Sequence, residues 1–207
     1  MTPLWIAATA RTCSQVVCDM LNQTGMFAPI IWEWYNSTQF DEMPKSPPKY
    51  CKLFPEQFNA HFGHWDFGVI EDAIPGLRWV YLTRRDKIAQ TASFLLAKKS
   101  GVWLYRENAV SLKAKYESFV EQIADDDLLR TYKWLNAMDE KLAQFFESRP
   151  HLLLVAEDIK KSPVDAAIAI LEYLGVSKWS KLTPRLCVMK HPMRAKLESR
   201  LRSLIDG

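Results

Sequence analysis

The chain has 207 residues, of which 48% are hydrophobic and 25% charged, a composition that supports one globular domain over 1–207 and excludes disorder or a coiled coil. Its 27 Lys and Arg against 24 Asp and Glu leave a net charge of +3, too small for a protein that coats nucleic acid or a membrane surface. No run of about 18 apolar residues and no signal-peptide pattern occur, so the expectation is a cytoplasmic protein without an integral membrane segment.

Leu4 to Ala8 is a short apolar run, Thr9 to Gln15 is polar, and Val16, Val17, Met20 and Leu21 recur at helical spacing. That pattern predicts strand, loop and helix. Tyr50 to Phe54 reads as a second strand, and Trp79 to Leu82, entered through the Pro75-Gly76 turn, as a third. Ala89, Ala92, Ser93 and Leu96 then continue as a helix. Between Asn108 and Ser148 two amphipathic helices are marked by Tyr116, Phe119, Val120 and Ile123, then by Leu128, Leu135, Met138, Leu142 and Phe145. The Asp125-Asp126-Asp127 run is expected to be a cap and solvated bend between them. Leu152 to Val155 is the last strand, and Ser162-Pro163 opens a helix that Gly175 ends. Strands alternating with helices predict an α/β fold of three layers, a central parallel sheet flanked by helices.

Only 7 glycines occur, none before Gly25, which excludes a Walker lysine loop or a Rossmann fingerprint in the N-terminal region. Cys13, Cys18, Cys51 and Cys187 lack CxxC spacing, so reduced thiols are expected rather than zinc. His61 and His64 form a lone HxxH, read as ordinary surface or core histidines. Two strand-to-helix turns carry the chemistry instead. In LWIAATARTCSQVVCDML, Arg11, Thr12, Ser14 and the amides of Cys13 to Gln15 stand at a helix N-terminus, where unpaired N–H groups and the dipole favour an anion. In WVYLTRRDKIAQTASFLLAKKSGVW, Arg84 and Arg85 leave a strand tip and Ser93 follows on the helix; arginine grips phosphate with paired charge-assisted bonds. Two anion sites at the ends of parallel strands suit a ligand with two phosphates and a nucleoside between them.

ARTCSQVVCDMLNQTG, WEWY, YCKLFPEQF, WVYLTRRDKIAQTASF with GVW, and LLLVAEDIKKSP leading to LEYLGV occur in that order. In this succession the chain resembles bacterial sulfotransferases of the trehalose 2-sulfotransferase family. The resemblance implies a P-loop-NTPase-like sulfotransferase fold and 3′-phosphoadenosine 5′-phosphosulfate as donor, without a metal. It also implies a sugar or other small hydroxyl compound as acceptor, and a homodimer. The first turn would hold the 5′-phosphosulfate through Arg11, Thr12, Cys13, Ser14 and Gln15, and Arg84, Arg85 and Ser93 would hold the 3′-phosphate. The chain departs from the family where Cys13 replaces a glycine, Gln15 a hydroxyl residue, and Ala156 the tyrosine before Glu157.

Sulfo transfer to an alcohol needs a base for the hydroxyl proton and cations for the oxygens of the leaving group. By the resemblance Glu33 is the base, with Trp32, Trp34 and Tyr35 around it able to raise its pKa by desolvation. Lys52 matches a family lysine that neutralises charge on the transferring group; a surface ion pair is the alternative. Trp34, Tyr35 and Trp103 are expected to wall the acceptor cleft. Cys13 has no nearby histidine, and position 19 is Asp rather than the arginine of a cysteine-x5-arginine loop, which argues against thiol catalysis. The C-terminal cluster Arg185, Lys190, Arg194, Lys196, Arg200 and Arg202 is either a steering patch or a solvated helix face. Besides a sulfotransferase, two readings stay open: a bisphosphate-binding homologue without turnover and a nucleotide phosphotransferase.

Overall fold

The computed structural model describes residues 2–27, 48–103, 119–179, 181–186 and 192–207. Four strands, β1 (Leu4–Ala8), β2 (Tyr50–Leu53), β3 (Arg78–Thr83) and β4 (His151–Val155), pair in parallel in the order β2-β1-β3-β4. Ile6 lies opposite Lys52 on one side and Val80 on the other, and Val80 lies opposite Leu152. The expected parallel α/β sheet is present.

β1 is buried along its whole length because helices cover both faces of the sheet, as in other parallel sheets. Leu4, Ile6 and Ala8 join Val80 and Leu82 in one core with helices α1 (Ser14–Asn22) and α7 (Pro163–Tyr173). Trp5 and Ala7 join Trp79 and Tyr81 in a second core on the opposite face. Helices α2 (Pro55–Phe62), α3 (Gly68–Ala73) and α5 (Asp125–Phe146) pack there through Phe58, Ile70 and Phe146. A third cluster joins α4 (Lys87–Ser100) and α5 to α8 (Pro192–Asp206) through Leu96, Leu128, Leu197 and Leu201. No helix among the described residues is long and apolar enough to cross a membrane.

The chain leaves β1 towards β2 on one side and leaves β3 towards β4 on the other. The connections that leave their carboxyl ends therefore run in opposite directions, the topological switch point at which open α/β sheets place a ligand crevice. Both predicted anion turns start there. The local signals explain the boundaries. Pro55 at the first helical position of α2 ends the strand at Leu53 and makes Phe54 the N-cap. Gly175 takes φ +73°, with its N–H bonded to Glu172 O and the Val176 N–H to Leu171 O, the Schellman stop of α7. The aspartates 125–127 form the first turn of α5 rather than a bend, where the helix dipole favours them. The first of the two helices expected after Asn108 falls largely outside the described residues.

An ion pair and two hydrogen bonds fasten the start of α4 and the tip of β3 to α5. Lys87 Nζ lies 2.5 Å from Asp139 Oδ2, with only 17% and 13% of the two side chains exposed. Thr83 Oγ1 donates to the same oxygen at 2.7 Å, and Tyr81 Oη donates to Asp139 O. Replacing Asp139 by Ala leaves a half-buried ammonium and a hydroxyl without their acceptor, and is expected to cost about 3 kcal/mol in urea denaturation. Arg130→Ala, at an exposed pair with Asp127, should move the same midpoint by less than about 0.5 kcal/mol.

Candidate active site

The first turn runs from the end of β1 into α1 with two strained residues. Arg11 (φ 67°) and Cys13 (φ 66°) are the non-glycine residues with positive φ among the described residues. Each such conformation costs about 1–2 kcal/mol for a residue with a Cβ. Cys13 thus stands where the backbone favours glycine, the residue type expected there by resemblance. As N-cap of α1 it gives no side-chain bond to the helix, so the amides that follow it are open to an external acceptor. Thr12 is fully buried and donates its hydroxyl to Thr9 O at 2.9 Å. Ser14 is buried and Gln15 half-buried in the first turn of α1. From beneath, the buried Gln90 amide donates to Thr9 Oγ1 (2.9 Å) and Ala10 O (2.6 Å), holding the entry to the loop.

The second turn separates its two arginines. Asp86 caps α4 by accepting from the Ala89 N–H at 2.8 Å, which fixes the chain so that successive side chains point opposite ways. Arg84 turns inward and is 4% exposed. Its Nη1 donates to Arg11 O at 3.3 Å, bridging the two turns. Its Nε lies 3.6 Å from Glu157 Oε1, within ion-pair range but too far for a hydrogen bond, and has no acceptor. Burial, and then the charge of Arg194, hold this guanidinium below its ordinary pKa, with Glu157 opposing them. Arg85 turns outward, exposed, with Nη2 at 3.1 Å from both oxygens of Asp158.

Glu157, at the start of helix α6 (Ala156–Lys161), accepts from the Arg85 and Asp86 amides at 3.2 Å each. Burial works to raise its pKa, but these amides and Arg84 outweigh it and hold the carboxyl below the usual range. The amides of the second turn are therefore engaged by a protein carboxylate, and an incoming anion there would meet side chains. Arg11 completes the link between segments: its Nε donates to Ser93 Oγ at 3.0 Å and its Nη1 to Trp103 O at 2.7 Å. The Trp103 ring, 41% exposed, stands edge-on to Phe94.

Arg11, Thr12, Cys13, Ser14, Gln15, Arg84 and Ser93 thus come together at the crevice, with Trp103 at its margin and Arg85 turned away. Lys52 is fully buried on β2, its Nζ 4.4 Å over the Phe54 ring and its charge felt by Cys18 on the buried side of α1. Glu33, Trp34 and Tyr35 lie outside the described residues. Of the C-terminal basic cluster, Arg194 reaches the electrostatic surroundings of Arg84. Arg200 bonds Val120 O, Ile123 O and Asp125, a structural role. Lys196 and Arg202 are exposed. Sequence reasoning missed Gln90, Asp139 and Lys160; a polar residue between Ala89 and Thr91 on an otherwise buried helix face was the available signal for Gln90. His61 and His64 pack edge-on to Phe62 and Phe58 respectively, and among the described residues no three His, Cys, Asp or Glu side chains converge on a metal-binding set.

Comparison with known proteins adds a family. The model of the family described as Stf0 sulphotransferase matches residues 49–196, a stretch that contains the second turn and Glu157 and leaves the first turn outside. A solved sulfotransferase from Alicyclobacillus acidocaldarius is 13% identical, with 100% of this chain and 96% of that chain covered at a TM-score of 0.47. No curated protein matches the sequence.

The Cys13 thiol is half-buried, with Sγ 3.9 Å from Ala156 O. Burial pushes its pKa up, against the smaller opposing effects of Lys160, Arg84 and Arg11. It is therefore expected to alkylate more slowly with iodoacetamide at pH 8 than an unperturbed thiol of pKa about 8.5. Cys13→Gly, which relieves the strained φ, should keep stability within about 1 kcal/mol of the parent, whereas Cys13→Val should lose about 2 kcal/mol in urea.

Proposed function

Because this chain belongs to the Stf0 sulphotransferase family, we propose that it transfers a sulfo group from 3′-phosphoadenosine 5′-phosphosulfate to a hydroxyl of a carbohydrate or other small acceptor. The observation that carries this reading is Arg84. A buried guanidinium with a donor left unpaired, facing open helix amides across a switch-point crevice, has the chemistry of a phosphate site. The orphaned donor and the open amides fit a bisphosphate nucleotide. Arg11, the first-turn amides and Ser14 would hold its 5′ end, and Arg84 with Ser93 its 3′-phosphate.

Glu33 is proposed to accept the proton of the acceptor hydroxyl as the acceptor oxygen bonds to sulfur. The bond between sulfur and the bridging phosphate oxygen breaks, and its electron pair leaves with that oxygen. The donor supplies an activated sulfo group; the chain supplies orientation and positive charge. The Trp103 ring at the margin, with Trp34 and Tyr35, is proposed to form the apolar side of the acceptor cleft. The free thiols of Cys13, Cys18 and Cys51 support the cytoplasm as the compartment.

Thermal melting tests the donor. Adenosine 3′,5′-bisphosphate at about 100 times its dissociation constant should stabilise the fold by about 2.7 kcal/mol, and ATP with magnesium should do so far less. No shift with the bisphosphate, or a shift only with ATP and magnesium, contradicts the reading. Glu33→Gln should keep the bisphosphate shift while bisphosphate release from the donor, assayed over a panel of sugars and alcohols, falls by about 10²-fold or more. Wild-type turnover in that variant removes Glu33 as the base.

A further inference from the structure

We propose that Lys160 is a further anion ligand of this crevice, contributed by α6 to the group bound at the N-terminus of α1. The proposal rests on the bisphosphate reading for the identity of the ligand and on geometry for its place.

Helix α6 has one inward and one outward side. Ala156 O meets Cys13 Sγ, and Glu157 meets Arg84 and the second turn. Lys160 follows Glu157 by three residues, the spacing of neighbouring side chains on one helix face, and is half-buried while Asp158 and Lys161 are exposed. Asp158 and Lys161 lie on the other side, exposed and paired with Arg85 and with each other. Among the described residues Lys160 has no carboxylate in ion-pair range, although Glu157 and Asp158 are on its own helix. Its ammonium is half-buried; burial and then the charges of Arg84 and Arg194 act against it, with Glu157 opposing them.

Lys160, Arg84 and Arg194 are within electrostatic reach: Arg84 and Arg194 act on Lys160, and Arg194 on Arg84. Glu157 is tied to two backbone amides, and Arg194 is ion-paired with Glu198 at 2.6 Å. Like charges in a partly dry crevice repel, and each cation brought there without an anion costs free energy. A phosphate or phosphosulfate at the open α1 amides turns the repulsion into attraction. The second, independent sign of a ligand in the crevice that Lys160 borders is the buried Arg84 Nε without an acceptor.

The test is calorimetric titration of the full chain with adenosine 3′,5′-bisphosphate and with pyrophosphate at one fixed salt concentration, for the parent, Lys160→Met, Lys160→Arg and Lys161→Met. Lys160→Met should weaken both ligands about tenfold or more, without lowering the melting temperature of the unliganded protein. Lys160→Arg should restore most of the loss, and Lys161→Met should bind as the parent does. Equal affinities of the parent and Lys160→Met for the bisphosphate overturn the role of Lys160 and leave the donor reading intact. A lower unliganded melting temperature with undiminished affinity also overturns it. Binding of pyrophosphate alone, with the same dependence on Lys160, supports the proposal and removes the donor reading. Binding of neither ligand removes both.

Discussion

Arg84 has five N–H donors and, in its buried position, one hydrogen-bonded acceptor among the described residues, the carbonyl of Arg11. Desolvating a guanidinium is expensive unless its donors are satisfied. The carboxylate it pairs with among the described residues, Glu157, stands off at 3.6 Å and is held by the backbone of the second turn. The remaining deficit is what an anion in the crevice would fill. Most of the site follows from that constraint: the two turns are bridged through Arg84, and the other cations, Arg11, Lys160 and Arg194, are gathered around the same space.

The framework that keeps this arrangement rigid lies under the crevice. Gln90 holds Thr9 and Ala10 from below, and Thr83, Lys87 and Asp139 lock the tips of β3 and α4 to α5. These bonds offset the positive φ of Arg11 and Cys13, so the loop keeps a glycine-like path with a cysteine in it. A cysteine at this φ bears on the stability of the loop more directly than on its shape, and the half-buried thiol, whose pKa burial raises, adds no nucleophile.

Much of this could be read from the residues, for identifiable reasons. The strands announce themselves as apolar runs because both sheet faces are covered, and each predicted turn follows directly from a strand end. Arg84 and Arg85 were equivalent in sequence; only the cap made by Asp86 and the place of Glu157, more than seventy positions away, decide which points inward. Helices α2 and α3 escaped notice because they are short, and Pro55 looked like the end of a strand rather than the start of a helix. Asp139 carries no local mark, since its partners Thr83 and Lys87 come from a distant segment, and Lys160 is one of two adjacent lysines that the sequence does not distinguish. The scarcity of glycine, which excludes the common nucleotide loops, here coincides with two strained residues at the turn where glycine would be easiest.

The most direct measurement is the effect of Arg84→Ala on folding and on ligand binding in the same preparation. If Arg84 is held for an anion, its loss should shift the unliganded urea midpoint by less than about 1 kcal/mol. Affinity for adenosine 3′,5′-bisphosphate should meanwhile fall by about a hundredfold or more. A variant that binds the bisphosphate as the parent does, while losing several kcal/mol of stability, would make Arg84 a structural strut and contradict the account.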